Sequence, residues 1–287
     1  MPVWLLIPSL LILVLVSYIP IVIAVAIGFS NLSQYTIGDV GSAVIVWFKN
    51  FLDVLLPGSP LQVLRPLLNS VLISALTTVL AVPIGVAAAL LVNQRFRGRA
   101  LLRTVMLVPF ILPHFVTALV WRLLFQPGTG AIDLSLKALH LGKGYNLWLL
   151  GPQSFWALLI ASVWVAWPFV YIMVLAGLQA VEPDHYDAAE IDGAGRWRRF
   201  WAITLPSIGP TLALAICLTV INQFNNFTLP FIMLGDPPPA AANVLPVQIY
   251  TASVTSSDFG HASAIAVVNL VVLLVPVIYY LRRARTE

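Results

Sequence analysis

The chain has 287 residues, of which 60% are hydrophobic and only 9% are charged. Soluble domains carry about 25% charged residues, so this composition excludes an ordinary soluble protein and indicates an integral membrane protein. The formal net charge of +4 is better explained by membrane topology than by binding to nucleic acid. We expect no nucleic-acid partner. The single cysteine, Cys217, excludes an internal disulfide bond.

Six apolar stretches are long enough to cross a membrane, which takes about 20 helical residues. We expect helices in all of them, because an open sheet would leave backbone groups without partners in lipid. The sequence therefore predicts an all-α integral membrane protein with a single transmembrane domain over residues 1–287. The first stretch lacks a basic leader, which favours a retained helix over a cleaved signal peptide. The predicted spans are residues 4–29, 66–92, 101–125, 155–180, 206–234 and 261–281.

Basic residues are concentrated on one side of the predicted topology. Ten of the 15 Lys and Arg residues fall around the start of the third span, after the fourth span, or in the C-terminal tail. By the positive-inside rule these regions face the cytoplasm, which places both termini on that side of a bacterial-type inner membrane. The ten are Arg95, Arg97, Arg99, Arg103, Arg196, Arg198, Arg199, Arg282, Arg283 and Arg285.

A charged segment, residues 182–205, interrupts the apolar sequence between the fourth and fifth spans. It holds five of the chain's 11 acidic residues together with three arginines. A short helix is expected to start at Pro183 or Asp184, because acidic side chains suit the positive end of a helix. Gly193 and Gly195 allow a sharp turn before a second, basic helix. The charged segment is therefore predicted to be a helix-turn-helix surface exposed to water.

Polar side chains share one face of the fifth span. Thr219, Gln223 and Asn226 are spaced i, i+4 and i+7, and Asn222 and Asn225 lie beside them. Amides donate and accept hydrogen bonds, so they suit sugar hydroxyls, but they equally suit hydrogen bonds between helices. Both interpretations stay open for this face.

The fourth span carries a comparable triplet of Ser162, Ala166 and Phe169, flanked by Trp164 and Trp167. The aromatic side chains suit the apolar faces of sugar rings. For this span, however, packing between helices is the favoured interpretation.

The sequence contains no motif for catalysis or nucleotide binding. A Gly-x-x-x-x-Gly-Lys-Ser/Thr loop is absent, so the chain itself is not expected to hold ATP. His114, His140, His185 and His261 show no metal-ligand spacing and are interpreted as solvated or packed side chains. We expect a non-catalytic protein without a metal site.

Ten residues of the charged segment and of the sequence just after it form a spaced pattern: Ala188, Ala189, Asp192, Gly193, Ala194, Phe200, Ile203, Leu205, Pro206 and Pro210. This pattern resembles the EAA loop of ABC-importer permease subunits, with Asp187 where Glu is usual. The sequence from about residue 68 to residue 281 resembles the first permease subunit of maltose-type carbohydrate importers, although Asp133 stands where Asn is usual. Gly85 is among the positions that carry this wider resemblance.

The resemblance implies a set of partners: a second permease subunit, two cytoplasmic ATPase subunits and an extracytoplasmic solute-binding protein. It also implies that the ATPase subunits bind ATP and Mg, that this chain needs no cofactor, and that a sugar-like small molecule crosses the lipid membrane. The positions implied to contact an ATPase are Tyr186, Asp187, Ala188, Ala189, Asp192, Gly193, Ala194, Arg196 and Phe200. The candidate substrate residues, from the two triplets and their neighbours, are Thr219, Asn222, Gln223, Asn226, Ser162, Trp164 and Phe169.

An ion-coupled secondary transporter that works without an ATPase is the alternative function. It would need ionisable residues inside the spans, whereas Arg103 and Arg122 lie near span ends. The sequence therefore favours the permease subunit of an ATP-driven importer for a sugar or sugar-like solute, without naming the solute.

Overall fold

The computed structural model describes residues 4, 7–38, 43–58, 62–94, 96–141 and 145–284. Arg95 and Arg285 lie outside these ranges, as do residues 5 and 6 of the first predicted span. Within them the regular secondary structure is helical and contains no strand, which confirms the predicted all-α fold. The helices are α1 (Ile7–Gly28), α2 (Lys49–Leu55), α3 (Leu64–Asn93), α4 (Arg99–Met106), α5 (Val108–Ile111), α6 (His114–Leu124), α7 (Ala131–Ala138), α8 (Gln153–Gln179), α9 (Pro183–Ile191), α10 (Arg196–Phe224), α11 (Thr228–Leu234), α12 (Leu245–Tyr250) and α13 (Phe259–Ala284).

Five of the described helices are individually long and apolar enough to cross a membrane: α1, α3, α8, α10 and α13. A sixth span results if α4 to α6 are counted together, although a bend of 91° separates Arg99–Ile111 from His114–Leu124. Each of the six predicted spans therefore has a helical counterpart.

The bend in the third span has a local cause at Pro113. The residue before a proline is disfavoured in the helical region, because the proline ring crowds its backbone. Leu112 accordingly has φ −64° and ψ 134°, and Pro113 itself has φ −56° and ψ 134°. The stretch expected as one helix over residues 101–125 is therefore divided at this point.

The fifth predicted span, residues 206–234, is also divided. The helix α10 ends at Phe224, and α11 begins only at Thr228. Between them, Asn226 Oδ1 accepts a hydrogen bond of 3.2 Å from the backbone N–H of Leu229. A side-chain acceptor of this kind stabilises a helix start that has no preceding turn.

The chain forms two compact units, one from residues 1–68 and 243–272 and the other from residues 69–242 and 273–287. In the first unit, Asn50 Nδ2 on α2 donates to the carbonyl oxygens of Gly28 at 3.0 Å and Ser30 at 2.7 Å. These hydrogen bonds hold α2 against the end of α1.

His261 belongs to the same first unit. One imidazole nitrogen lies 2.7 Å from a carboxylate oxygen of Asp258, and the other lies 3.3 Å from one of Asp53. The side chain thus links α2 to the start of α13, in keeping with a packed histidine.

In the second unit, α3 packs closely on α8. A Cβ atom added to Gly85 would lie 2.7 Å from Val170 Cβ and 2.9 Å from the carbonyl oxygen of Trp167. Glycine is therefore the residue that permits this approach. The buried residues around it are Ala88, Ala89 and Val92 from α3, Val170, Tyr171, Val174 and Leu178 from α8, and Ile208 from α10.

We predict that Gly85→Ala destabilises the protein by roughly 1–3 kcal/mol, because overpacking forces the backbone or Val170 to shift. Thermal unfolding of the purified protein in detergent would measure the effect. The matched control is Gly209→Ala in α10, where an added Cβ meets nothing within 4 Å. Equal melting temperatures for the two variants would contradict the prediction.

Candidate functional site

A polar cavity of about 400 Å³ lies in the second unit, beside both helix breaks. The break at Pro113 contributes Phe110 and His114 to its wall, and the break after α10 contributes residues 225–228. The rest of the lining comes from the facing sides of α8 and α10. Broken helices around a polar cavity are a recurrent design of transport proteins, because the cavity satisfies the backbone groups that the breaks release.

The predicted polar face of the fifth span forms one wall of this cavity. Thr219, Asn222, Gln223 and Asn226 all line it. The hydroxyl of Thr219 is buried and donates to the carbonyl oxygen of Ala215 at 2.7 Å. Gln223 Oε1 is also buried, and it has no hydrogen-bond partner among the described residues. Because an unpaired buried acceptor costs about 1–3 kcal/mol, this atom favours a ligand or water in the cavity.

Aromatic rings form much of the remaining wall. Phe169 on α8 stacks on Phe110, with ring centroids 6.4 Å apart and an interplanar angle of 26°. Phe227, in the second break, stacks on Phe231 with centroids 4.7 Å apart. Flat apolar faces next to amides suit a molecule that is apolar on its ring faces and polar at its edges.

Two predicted substrate residues lie away from the cavity lining. Ser162 on α8 is buried at 2% exposure and does not line the cavity. Trp164 packs edge-on against Trp121, with ring centroids 5.9 Å apart. The cavity therefore brings together Phe169 and the four polar residues, and any contact of Ser162 or Trp164 with a substrate remains a prediction.

His114 also lines the cavity, although no functional role was predicted for it from the sequence. Its sequence neighbours signalled only a proline-rich part of a span, and the 91° bend is what brings it beside the amides. Among the described residues, no group of His, Cys, Asp and Glu side chains is arranged to hold a metal ion.

The charged segment has the predicted helix-turn-helix form. Its first helix, Pro183–Ile191, is followed by a turn in which Gly193 has φ 72°, and α10 begins at Arg196. A positive φ strains any residue with a Cβ, so the turn favours glycine at this position. The backbone N–H of Ala194 closes the turn by donating to the carbonyl oxygen of Ala189 at 2.9 Å.

Two side-chain contacts hold the halves of the charged segment together. Arg199 donates to Glu190 at 2.9 Å, and the hydroxyls of Tyr186 and Thr204 lie 3.1 Å apart. The Arg199–Glu190 pair is partly exposed, so its contribution to stability is at most about 1 kcal/mol.

The surface of the charged segment contains a concave site of about 410 Å³ that includes Ala189, Asp192 and Ala194. Small side chains allow close approach of a partner, and the arginines at its edge supply donors. Of the nine predicted coupling residues, Asp187, Ala188, Asp192, Gly193 and Arg196 are exposed, whereas Tyr186, Ala189, Ala194 and Phe200 are half-buried.

The charged segment also exposes large apolar side chains, an exposure that was not predicted from the sequence. Ile191 is 87% exposed, and Trp197 is 74% exposed while stacking on Phe200. Exposed apolar groups beside polar ones mark an interaction surface. The sequence signal for this surface is the mixture of Trp, Arg and Phe residues between Arg196 and Trp201.

Asp133, on α7 between the third and fourth spans, organises the loop beside α6. Its carboxylate is fully buried and accepts hydrogen bonds of 2.7–2.9 Å from the backbones of Gly128 and Asn146 and from the side chains of Asn146 and Trp148. Burial alone would raise the pKa of Asp133, but these hydrogen bonds outweigh it and lower the pKa from 3.8 to about 2. All of these partners are donors, which suits Asp better than the Asn expected at this position.

An all-helical membrane fold, two broken spans and a polar cavity together define a transport protein. The family model for inner membrane components of binding-protein-dependent transport systems matches residues 81–285. The chain belongs to this family, so it is a membrane permease component and not an enzyme.

Two relatives are named for the solutes that they transport. The trehalose/maltose transport system permease protein MalF of Thermococcus litoralis is 35% identical over 203 residues, covering 70% of this chain and 68% of that protein. The sulfoquinovosyl glycerol transport system permease protein SmoG of Agrobacterium fabrum is 33% identical over 220 residues, covering 76% and 71%. A solved bacterial ABC transporter involved in alginate import has a chain with the same fold, at a TM-score of 0.83 and 23% identity over 99% of this chain and 96% of that one.

We predict that Asp133→Asn lowers the free energy of unfolding by roughly 1–3 kcal/mol at neutral pH, because an amide nitrogen would face N–H donors in place of an accepting oxygen. The lowered pKa of Asp133 means that its contribution to stability is present above pH 3.8 and is lost as the pH falls toward about 2. The difference in the free energy of unfolding between the wild type and Asp133→Asn, measured in detergent, should therefore be smaller near pH 3 than at neutral pH. A deficit of the same size at both pH values would contradict this account.

Proposed function

We propose that this chain is a permease subunit of an ATP-driven importer and that it conducts a sugar or sugar-like solute through the polar cavity. The observation that carries the proposal is the unpaired Gln223 Oε1 in a cavity lined by amides and stacked phenylalanines. Sugars present hydroxyls at their edges and apolar C–H faces, which match these two kinds of wall. The relatives named for trehalose/maltose and sulfoquinovosyl glycerol transport support the same class of solute.

The charged segment, in this proposal, receives the force produced by ATPase subunits that bind ATP and Mg. Its small-residue concavity and its exposed Ile191 and Trp197 offer a docking surface for such a subunit. The helix α10 connects Arg196 in the charged segment to Phe224 beside the cavity, with a π-helical turn at Phe200–Thr204. Its 29 residues span about 43 Å, so a movement of the docking surface is carried directly to Gln223.

The remaining partners follow from this arrangement. A second permease subunit would complete the transport path, and a solute-binding protein would deliver the solute from outside. The solved alginate transporter is described in complex with a periplasmic protein bound to an alginate pentasaccharide, which is the kind of assembly proposed. The charged segment and both termini would face the cytoplasm, in accordance with the arginine distribution.

An ion-coupled transporter gains no support from the cavity. Among the described residues, its lining contains no Asp, Glu, Lys or Arg, the side chains that ion-coupled transporters commonly use at membrane depth.

We predict that Gln223→Leu lowers solute transport roughly three- to tenfold, because it removes a hydrogen bond to the solute. Stability should not fall, since Gln223 Oε1 has no partner in the described residues that would be lost. Transport in proteoliposomes and thermal unfolding in detergent would be measured on the same preparation. A loss of stability that parallels the loss of transport would instead indicate a bond between helices.

Asn226 offers a matched comparison for this test. Its Oδ1 caps α11 through Leu229, so Asn226→Leu should lower both stability and transport. Asn226→Asp keeps an accepting oxygen for the cap and should lower only transport.

We predict that Gly193→Val uncouples transport from ATP hydrolysis. Valine at φ 72° is strained by about 1–3 kcal/mol, so the turn relaxes and the docking surface changes shape. Membrane insertion should be normal, because a Cβ at this position meets nothing within 4 Å. ATPase activity and solute uptake of the assembled transporter would be compared.

The control for this variant is Gly195→Val. Gly195 has φ −64° and is equally open in space, so its substitution tests bulk without backbone strain. Normal coupling in both variants would refute the role given to the Gly193 turn.

A further inference from the structure

We propose that His114 contacts the solute and that this chain's part of the polar cavity receives an uncharged, hydroxyl-rich face of that solute. The inference rests on the proposed function, because it concerns the same cavity. His114 is the first residue of α6, directly after the Pro113 break, and it lines the cavity. The ring of Pro113 restricts the backbone directly before His114, and the resulting break places the imidazole at the cavity wall.

The imidazole of His114 is available for a ligand. Its side chain is exposed, and its ring nitrogens take part in no hydrogen bond within the described parts of the chain. His261 differs in this respect, since its ring lies between two carboxylates. A neutral imidazole has one donor and one acceptor, and a hydroxyl group is complementary to both.

The other polar lining groups have the same dual character. Asn222, Gln223, Asn225 and Asn226 each bring an amide to the cavity. Together with His114 they form a set that donates and accepts hydrogen bonds and carries no permanent charge. Such a set recognises hydroxyls in many orientations.

The lining offers little to compensate a charged solute. An acidic group of the solute would lose its hydration in the cavity without contacting a Lys or Arg side chain of the described lining. That loss of hydration is costly. The positive end of α6 supplies only about half an elementary charge, spread over its first turn. The uncharged part of a solute is therefore the part that fits.

The described arginines on neighbouring helices donate to backbone carbonyl groups and do not line the cavity. Arg122, on the last turn of α6, donates to the carbonyl oxygen of Ile232 at 3.1 Å. Arg103, on α4, donates to the carbonyl oxygen of Val92 at 3.1 Å. Neither belongs to the cavity lining, so they do not supply the missing positive charge.

The test uses the assembled permease–ATPase complex in lipid nanodiscs, without the solute-binding protein, so that the cavity alone selects. The complex is dialysed against a mixture of neutral mono- to tetrasaccharides and their uronic-acid counterparts, and retained saccharides are quantified by mass spectrometry. The wild type should retain neutral members over acidic ones. Preferential retention of the uronates by the wild type would overturn the inference.

Substitutions at His114 separate hydrogen bonding from charge. His114→Leu should lower retention of the neutral saccharide by about three- to tenfold, whereas His114→Gln, which keeps a donor and an acceptor, should retain it within about threefold. His114→Arg should shift the ratio of acidic to neutral saccharide by about tenfold towards the acidic form. Wild-type retention by His114→Leu would overturn the proposed contact.

Two controls make the outcome specific. His140→Arg adds the same charge at an exposed residue outside the cavity lining and should leave the ratio unchanged. If Gln223→Leu reduces retention while His114→Leu does not, the proposed function stands and the role of His114 fails. If the wild type retains no saccharide, this inference fails; if it also transports none when the solute-binding protein is added, the proposed function fails as well.

Discussion

Breaks in membrane helices are the constraint on which the rest of this structure depends. In lipid, a backbone group released from a helix must find a partner within the protein or a polar cavity. At the second break Asn226 supplies such a partner by capping α11, and at the first break Pro113 has no N–H to satisfy. Both breaks border one cavity, so the polar wall and the helix ends stabilise each other. A cavity of this kind is also what a permease requires for a hydrophilic solute.

The second determining feature is the continuity of α10. Its first residues belong to the charged segment, and its last residues line the polar cavity. Along its length α10 includes a π-helical turn at Phe200–Thr204 and a proline at Pro210. The turn at Gly193, which has a positive φ, joins α9 to α10. The proposed docking surface and the polar cavity thus lie at opposite ends of one helix.

Much of this organisation could be predicted from sequence, because hydrophobic length and residue spacing are local properties. The spans followed from apolar stretches, and the face of Thr219, Gln223 and Asn226 followed from helical periodicity. The charged segment was predicted as two helices with a glycine turn, and the structure has this form. His114 was not assigned to the site, because its place beside the amides depends on a bend angle that no local pattern specifies.

The sequence by itself determined that the chain is an all-α membrane protein with a charged helical surface, since these properties depend on composition and on neighbours along the chain. Only the tertiary structure decided which polar residues share a cavity. Gln223 lines it while Ser162 does not, although both were candidates from the same periodicity argument. Likewise, Asp133 departs from the family's usual Asn, and only the tertiary structure brings donors from Gly128 and Asn146 to its carboxylate. The physical reason is that hydrogen-bond partners and cavities arise between segments that are distant in sequence, and their positions are set by how the helices pack.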